Sequence, residues 1–220
     1  MNAYSPQRKP PLASAKAPPK RKSRLGCVVA LLIVAALFGA LIAGAVRINR
    51  YLAETSYFNN GRISDAVRVY EPDIIEAATA NGIPEYVLVL EAMMMQESKG
   101  RGGDPMQASE SHYNTAYPQT VGGITDPKYS IQVGVTFFAD LLEKAECVSP
   151  EDTDNLLLAL QGYNFGDNYI VWARENYGGY SAENARVYSQ MMQQEMGWES
   201  YGDPEYAASV LKYIQSNQSQ

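Results

Sequence analysis

The stretch that most constrains the fold of this chain is a run of ten residues, Tyr86 to Met95, in which Glu91 is the only charged residue. A helix that is apolar on every side has to be buried, because none of its faces is suited to water. Pro84 and Glu85 precede the run, and proline and a carboxylate both suit the start of a helix. Gly100 follows it and supplies a stop. The sequence therefore predicts a central core helix between these residues.

Glu97 falls on the last turn of this helix, at the edge of the predicted core. Apolar neighbours and the negative end of the helix dipole both disfavour an ionised carboxylate, so its pKa is predicted to rise. A carboxylic acid that keeps its proton near neutral pH can protonate the leaving oxygen of a glycosidic bond. The alternative is an ordinary solvated glutamate at a helix end, which is common in proteins.

Three short motifs resemble those of the goose-type lysozyme and lytic transglycosylase superfamily, in the same order along the chain. They are the Glu-Ser pair at Glu97, the Met-Gln pair at Met106 and the Tyr-Asn-Phe-Gly stretch at Tyr163. The residues around the first two motifs are similar to the lysozyme-like domain of Gram-positive cell-wall hydrolases, including those carried by conjugative elements. The resemblance covers roughly residues 65–200 and implies an all-α lysozyme-like fold.

The resemblance also implies a reaction. It is cleavage of the β-1,4 bond between N-acetylmuramic acid and N-acetylglucosamine in peptidoglycan, with Glu97 as the general acid and with neither a cofactor nor a metal ion. The motifs supply the candidate substrate-binding residues, which are Ser98, Met106, Gln107, Tyr163 and Asn164. Gln107 and the backbone at Met106 would bind sugar amide or hydroxyl groups, and Tyr163 and Asn164 would form the opposite wall. Core packing is the alternative role for Tyr163.

A glycosidase that uses water generally needs a second carboxylate opposite its acid. Asp104, Glu110 and Asp126 all follow Glu97 closely in sequence. Asp126 fits a helix cap and Asp104 fits the start of a turn with the proline after it, whereas Glu110 has no evident structural duty. Glu110 is therefore the first candidate for the second catalytic carboxylate, and Asp104 is the next.

Two other functions stay open at this point. Superfamily members without a second carboxylate act as lytic transglycosylases and form an anhydro sugar through the substrate's own groups. The chain could instead be a non-cutting wall-binding module of a secretion or conjugation apparatus. The presence of Glu97 favours an enzyme, because a binding module has no need of a partly buried acid.

The N-terminal part of the chain has a different composition. Residues 1–25 contain seven lysines and arginines, five prolines and no acidic residue, which predicts a disordered basic tail. Residues 26–46 carry no charge, and 21 residues of helix reach ~30 Å, the thickness of a bilayer's hydrocarbon core. We expect a single transmembrane anchor, with the basic tail in the cytoplasm and the rest of the chain outside. A cleaved signal peptide is the alternative, although its apolar region is usually shorter.

The sequence predicts a juxtamembrane linker at residues 47–63 and the lysozyme-like catalytic domain at residues 64–220. Residues 1–25 hold seven of the chain's 18 basic residues and none of its 24 acidic ones, so the remainder carries a formal charge of −13. Such an acidic surface argues against nucleic acid as a partner. The expected partners are glycan strands, the membrane and a secretion or conjugation machinery. His112 is the only histidine, which excludes most zinc sites. A Cys147–His112 catalytic pair would lack a third orienting group in any recognisable motif.

Helix start signals recur along the predicted domain, and no alternating pattern typical of a strand accompanies them. They stand at Glu71, Asp126-Pro127, the Ser149–Asp152 capping-box variant, Asp167, Ser181 and Asp203-Pro204. We expect the helix that follows the Ser149–Asp152 signal to end at Gly162, and the last helix to end near Ile214.

Overall fold

The computed structural model describes residues 63–218. The basic tail, the apolar segment and nearly all of the linker predicted from the sequence lie outside the described residues. Within residues 63–218, no helix is both long enough and apolar enough to cross a bilayer.

Residues 63–218 form helices joined by turns and loops, with no β-strand, so the all-α prediction is confirmed for this part of the chain. The elements are α1 (Asp65–Arg68), α2 (Glu71–Ala80), a 3₁₀ turn (Pro84–Tyr86), α3 (Val87–Glu97), α4 (Pro127–Lys144), α5 (Thr153–Phe165), α6 (Asn168–Tyr177), α7 (Ala182–Met196) and α8 (Tyr206–Gln218).

Helix α3 lies in the core, as its sequence predicts. It packs mainly against α8 and also contacts α1 and α2. Met93 and Met94 are fully buried, so they act as core filler. The helix ends at Glu97, and the chain then turns through Lys99 and Gly100, which both have positive φ angles of 59° and 74°. A buried helix thus delivers one carboxylate to the point where a long loop begins.

Helix α4 begins as predicted, with Pro127 in its first turn and the Asp126 carboxylate accepting a hydrogen bond from the Lys128 amide at 3.0 Å. The apolar face of α4 is buried, and the helix packs against α2 and α5. A Cβ atom on Gly134 would lie 2.7 Å from the Met106 Cβ and 2.8 Å from the Tyr163 hydroxyl. Glycine at this position therefore lets α4 approach two residues of the predicted site.

The predicted boundaries of two helices are wrong. Helix α5 begins at Thr153 without a side-chain cap, rather than at the Ser149–Asp152 signal, and it continues through Gly162 to Phe165. A Cβ atom on Gly162 would come within 3.0 Å of the Ile170 side chain, so this glycine permits close packing of α5 on α6 instead of ending the helix. The last helix begins at Tyr206 and runs past Ile214 to Gln218.

Of the predicted caps at Asp167 and Ser181, only the one at Ser181 forms. Asp167 stands before α6 but makes no side-chain cap; its carboxylate pairs with the Lys144 ammonium group at 2.7 Å. Ser181 does cap α7, because its hydroxyl accepts from the Asn184 amide while the Asn184 side chain accepts from the Ser181 amide, both at 3.1 Å. The capping box therefore forms at Ser181, whereas Asp167 is used in an ion pair instead.

Glu91 is the one charged residue of the core helix, and the structure supplies it with a partner. It is 1 % exposed, and its Oε2 accepts a hydrogen bond from the Arg68 guanidinium at 2.5 Å, while its Oε1 has no partner among the described residues. Burial raises the pKa of Glu91, the Arg68 charge lowers it and the nearby Glu71 raises it again. The ion pair ties the short helix α1 to α3.

We predict that Arg68→Met destabilises the domain by about 1–3 kcal/mol at pH 8, because Glu91 would then be a buried charge without a counter-ion. This predicted loss is smaller than the loss for a fully buried ion pair, since Arg68 is partly exposed. A carboxylate whose pKa is raised in the folded state lowers the free energy of unfolding once the pH rises above the pKa that it has in the unfolded chain. The loss should therefore be smaller at pH 5 than at pH 8, as measured by urea unfolding at both values.

Arg186→Met is the matched control, because Arg186 pairs with Glu205 on the exposed surface. That change should alter the free energy of unfolding by no more than about 0.5 kcal/mol. Equal losses in the two variants would show that burial of Glu91 does not depend on the Arg68 charge.

Candidate active site

Glu97 is brought together with a residue from the far end of the chain. The Tyr206 hydroxyl, on the first turn of α8, donates a hydrogen bond to Glu97 Oε1 at 2.6 Å. Tyr206 is 2 % exposed, whereas Glu97 is partly exposed. The carboxylate therefore has one firm partner inside the protein and an edge towards solvent.

The pKa of Glu97 is raised to about 7, as its place on the core helix predicts. Burial is the largest cause, and the negative charges of Asp104 and Asp203 raise the pKa further. The hydrogen bond from Tyr206 acts in the opposite direction, because it stabilises the ionised form. Near neutral pH, a substantial fraction of Glu97 therefore carries a proton.

Asp104 is 4 % exposed and organises the loop that follows Glu97. Its Oδ1 accepts from the Ala108 amide at 2.9 Å and from the Ser130 hydroxyl at 2.6 Å. Its Oδ2 accepts from the amide and the hydroxyl of Ser109, the former at 3.0 Å. Both oxygens are thus held by donors from the loop and from α4, and a negative charge is fixed near Glu97.

The predicted substrate-binding residues of this loop also hold it in shape. The Ser98 hydroxyl donates to the Pro105 carbonyl at 2.8 Å, and the Met106 amide donates to the Ser130 hydroxyl at 3.1 Å. Met106 is fully buried, whereas Gln107 is exposed. Gln107 adopts a positive φ of 49°, and its side-chain amide donates to the Asp104 carbonyl at 2.9 Å. Of these three, Gln107 is the one that solvent can reach freely.

Tyr163 and Asn164, which the sequence predicts to form the opposite wall of the site, lie at the end of α5. The Tyr163 hydroxyl donates to the Met106 carbonyl at 2.9 Å, and its ring stacks on that of Tyr206 with centroids 6.4 Å apart. Tyr163 thus packs in the core and also joins the two motifs that bracket the site. The Asn164 Oδ1 accepts from the Asp203 amide at 2.6 Å.

Sequence reasoning missed the segment that positions Tyr206. Buried Gln161 donates to the Asp203 carbonyl at 2.8 Å, and Asn164 holds the amide of the same residue. These bonds fix Asp203 at the start of α8, so that Tyr206 reaches Glu97 across 109 positions of sequence. No local pattern marks a tyrosine for this task. Ser130 carried a weak signal, as a polar residue beside the apolar face of α4.

The three acidic candidates for a second carboxylate occupy different settings. Asp104 is buried and its charge acts on Glu97. Asp126 caps α4. Glu110 is exposed, and its charge is not among those that raise the pKa of Glu97. Asp203, which the sequence suggested only as a helix start, is the second carboxylate whose charge reaches Glu97.

A family model described as lysozyme-like matches residues 64–218, which is most of this chain. The chain belongs to the lysozyme-like family. The predicted resemblance to the lysozyme-like domain of cell-wall hydrolases is thereby confirmed, together with the fold that it implies.

Two relatives come from Bacillus subtilis (strain 168). The bifunctional muramidase/DL-endopeptidase CwlT is 36 % identical over 140 residues, which is 64 % of this chain and 39 % of CwlT. The membrane protein YocA is 30 % identical over 174 residues, which is 77 % of this chain and 73 % of YocA. The chain thus matches well under half of the length of CwlT.

A solved structure supports the fold. A Staphylococcus aureus Mu50 protein described as similar to a lipoprotein of the NLP/P60 family has a TM-score of 0.58 and 25 % identity. The match covers 70 % of this chain and 54 % of the staphylococcal chain.

We predict that Tyr206→Phe raises the pKa of Glu97 above its value of about 7, because the change removes the donor that stabilises the carboxylate. Carbon-13 NMR of the Glu97 side-chain carboxyl during a pH titration measures this directly. Tyr163→Phe is the matched control, since the Tyr163 hydroxyl bonds to the Met106 carbonyl and not to Glu97. An unchanged or lower pKa in Tyr206→Phe would contradict the assigned role of the hydrogen bond.

Proposed function

We propose that this lysozyme-like domain cleaves the glycan strand of peptidoglycan at the β-1,4 bond between N-acetylmuramic acid and N-acetylglucosamine. Glu97 is the general acid that protonates the leaving oxygen. The observation that carries the proposal is a partly exposed carboxylate with a pKa of about 7 at the end of a buried helix. The muramidase activity in the name of the relative CwlT supports it.

Asp104 is the better placed of the two predicted second carboxylates. Its charge acts on Glu97, and four donors keep it in position. We propose that it stabilises the positive charge that develops on the sugar ring during bond cleavage. The same contacts leave it poorly suited to remove a proton from water, because both oxygens are occupied and the residue is buried. Glu110, the first candidate from the sequence, is the alternative to Glu97 for that task.

After it gives up its proton, Glu97 is an ionised carboxylate that can take one back from the attacking nucleophile. If that nucleophile is water, the domain is a muramidase, which is the reaction we propose. If it is a hydroxyl of the substrate itself, the product is an anhydro sugar and the domain is a lytic transglycosylase. Because donors occupy both oxygens of Asp104, Glu97 is the base in either reaction, and the products decide between the two.

We also propose that residues 26–46 anchor the chain in the cell membrane, with residues 1–25 in the cytoplasm and the lysozyme-like domain outside. The unbroken apolar segment and the basic flank support this topology. The relative YocA, whose match covers 77 % of this chain, is described as a membrane protein, which also supports this topology. An outside domain would face its substrate, and any secretion or conjugation machinery would be a further partner.

We predict that Glu97→Gln lowers the rate of peptidoglycan cleavage at least ~10²–10⁴-fold, because glutamine keeps the size of the side chain but cannot donate a proton. The wild-type rate should fall as pH rises through about 7, since Glu97 then ionises. Release of soluble fragments from purified cell walls measures both effects. Glu175→Gln, on an exposed surface, is the control and should cleave at the wild-type rate. Cleavage by folded Glu97→Gln at a near wild-type rate would refute the proposed acid.

We predict that mass analysis of the products finds reducing N-acetylmuramic acid ends, as hydrolysis requires. Asp104→Asn should cut the rate strongly while Glu110→Gln stays within a few-fold of wild type, and circular dichroism should first show that Asp104→Asn is folded. Products lighter by one water would assign the domain as a lytic transglycosylase. A strong loss in Glu110→Gln, with little change in Asp104→Asn, would reverse the roles of the two carboxylates.

A further inference from the structure

Three side-chain rings meet on the surface beside the candidate active site, and we call them the outer aromatic cluster: His112, Tyr113 and Phe137. The rings of His112 and Tyr113 have centroids 4.2 Å apart, and that of Phe137 lies 6.0 Å from the first and 6.3 Å from the second. His112 is exposed, and the other two are partly exposed. Aromatic rings that stay in contact with water on a loop and a helix need a reason, because burial would stabilise them more.

The outer aromatic cluster is continuous with the Glu97 site. The ring of Phe137 lies 5.3 Å from that of Tyr163, which in turn stacks on Tyr206, the partner of Glu97. His112 and Tyr113 belong to the same loop that Asp104 holds in place after α3. Phe137 therefore joins the outer aromatic cluster to the buried rings of Tyr163 and Tyr206, which support Glu97 from within the core.

Open space lies beside the cluster. Tyr113 forms part of the wall of a groove of about 520 Å³, which α4 and the turn before α3 also line. Burial and then the charge of Asp140, another lining residue, raise the pKa of Tyr113. No layer of protein in the described part of the chain closes this groove.

We propose that the outer aromatic cluster is a distal sugar-binding platform, which holds N-acetylhexosamine rings of the glycan strand several sugars away from the bond that is cut. This inference rests on the proposed function and extends it to the choice of long strands over short ones. The face of a sugar ring carries C–H groups that pack on an aromatic face, while a tyrosine hydroxyl or an imidazole nitrogen can bond to its hydroxyl and amide groups. The cluster offers both kinds of contact side by side.

The alternative is that the three rings serve only to pin residues 112–113 to α4. A pinning role would affect short and long substrates equally, since it would act through the loop shape at Asp104. A platform acts only on strands that are long enough to reach it. Substrate length therefore separates the two roles.

The test measures binding of the trimer and the hexamer of N-acetylglucosamine to the Glu97→Gln protein by isothermal titration calorimetry, so that no cleavage interferes. We expect the hexamer to bind more tightly than the trimer. Adding Tyr113→Ala or Phe137→Ala should weaken hexamer binding about 3- to 10-fold and leave trimer binding within about two-fold. Adding Tyr113→Phe, which keeps the ring, should retain most of the hexamer affinity.

Tyr177→Ala is the matched control, because Tyr177 is an exposed tyrosine on α6 outside the cluster, and it should change neither affinity. Equal losses for both lengths, no loss, or no preference for the hexamer in the parent protein would overturn the platform. If wild type fails to cut peptidoglycan but the length-dependent losses persist, the proposed reaction is wrong and the platform stands. If wild type cuts peptidoglycan and the length-dependent losses are absent, the proposed reaction stands and the platform is wrong.

Discussion

The structure depends on the hydrogen bond between Tyr206 and Glu97, which joins the first turn of α8 to the last turn of α3. The two helices form the main packing contact of the core, and they meet where the buried helix ends. A carboxylate at that point loses much of its hydration, and one tyrosine hydroxyl only partly replaces the lost water. The result is an acid whose pKa lies near 7, produced by the packing that also stabilises the fold.

The loop after Glu97 also contains a buried carboxylate, but this one has hydrogen-bond donors on both oxygens. Asp104 is more deeply buried than Glu97, yet four donors satisfy its oxygens, so it can hold the loop and keep a fixed charge. Two acidic side chains seven positions apart thus have different environments. One is short of hydrogen-bond donors and the other is saturated with them, which is how a single fold can set two carboxylates to different tasks.

The relatives carry similar sequence in different contexts. This chain matches 39 % of the bifunctional muramidase/DL-endopeptidase CwlT and 73 % of the membrane protein YocA, both from Bacillus subtilis. The elements that build the site, from α3 to α8, all lie within the matched family region of residues 64–218. The proposed platform at Tyr113 and Phe137 lies at the edge of that site, where a loop and a helix surface can vary without disturbing the core.

The sequence by itself determined the buried helix α3, the place of Glu97 on its last turn and the starts of α4 and α7, because apolar patterning, helix ends and caps are local properties. The direction of the pKa shift follows from that place, but the value of about 7 depends on the packing around Glu97. Only the tertiary structure decided that Gly162 lies inside a helix and that Tyr206 bonds to Glu97. It also decided that the charges of Asp104 and Asp203 act on Glu97. These features arise where segments distant in sequence pack together, and no spacing along the chain encodes which side chains then meet.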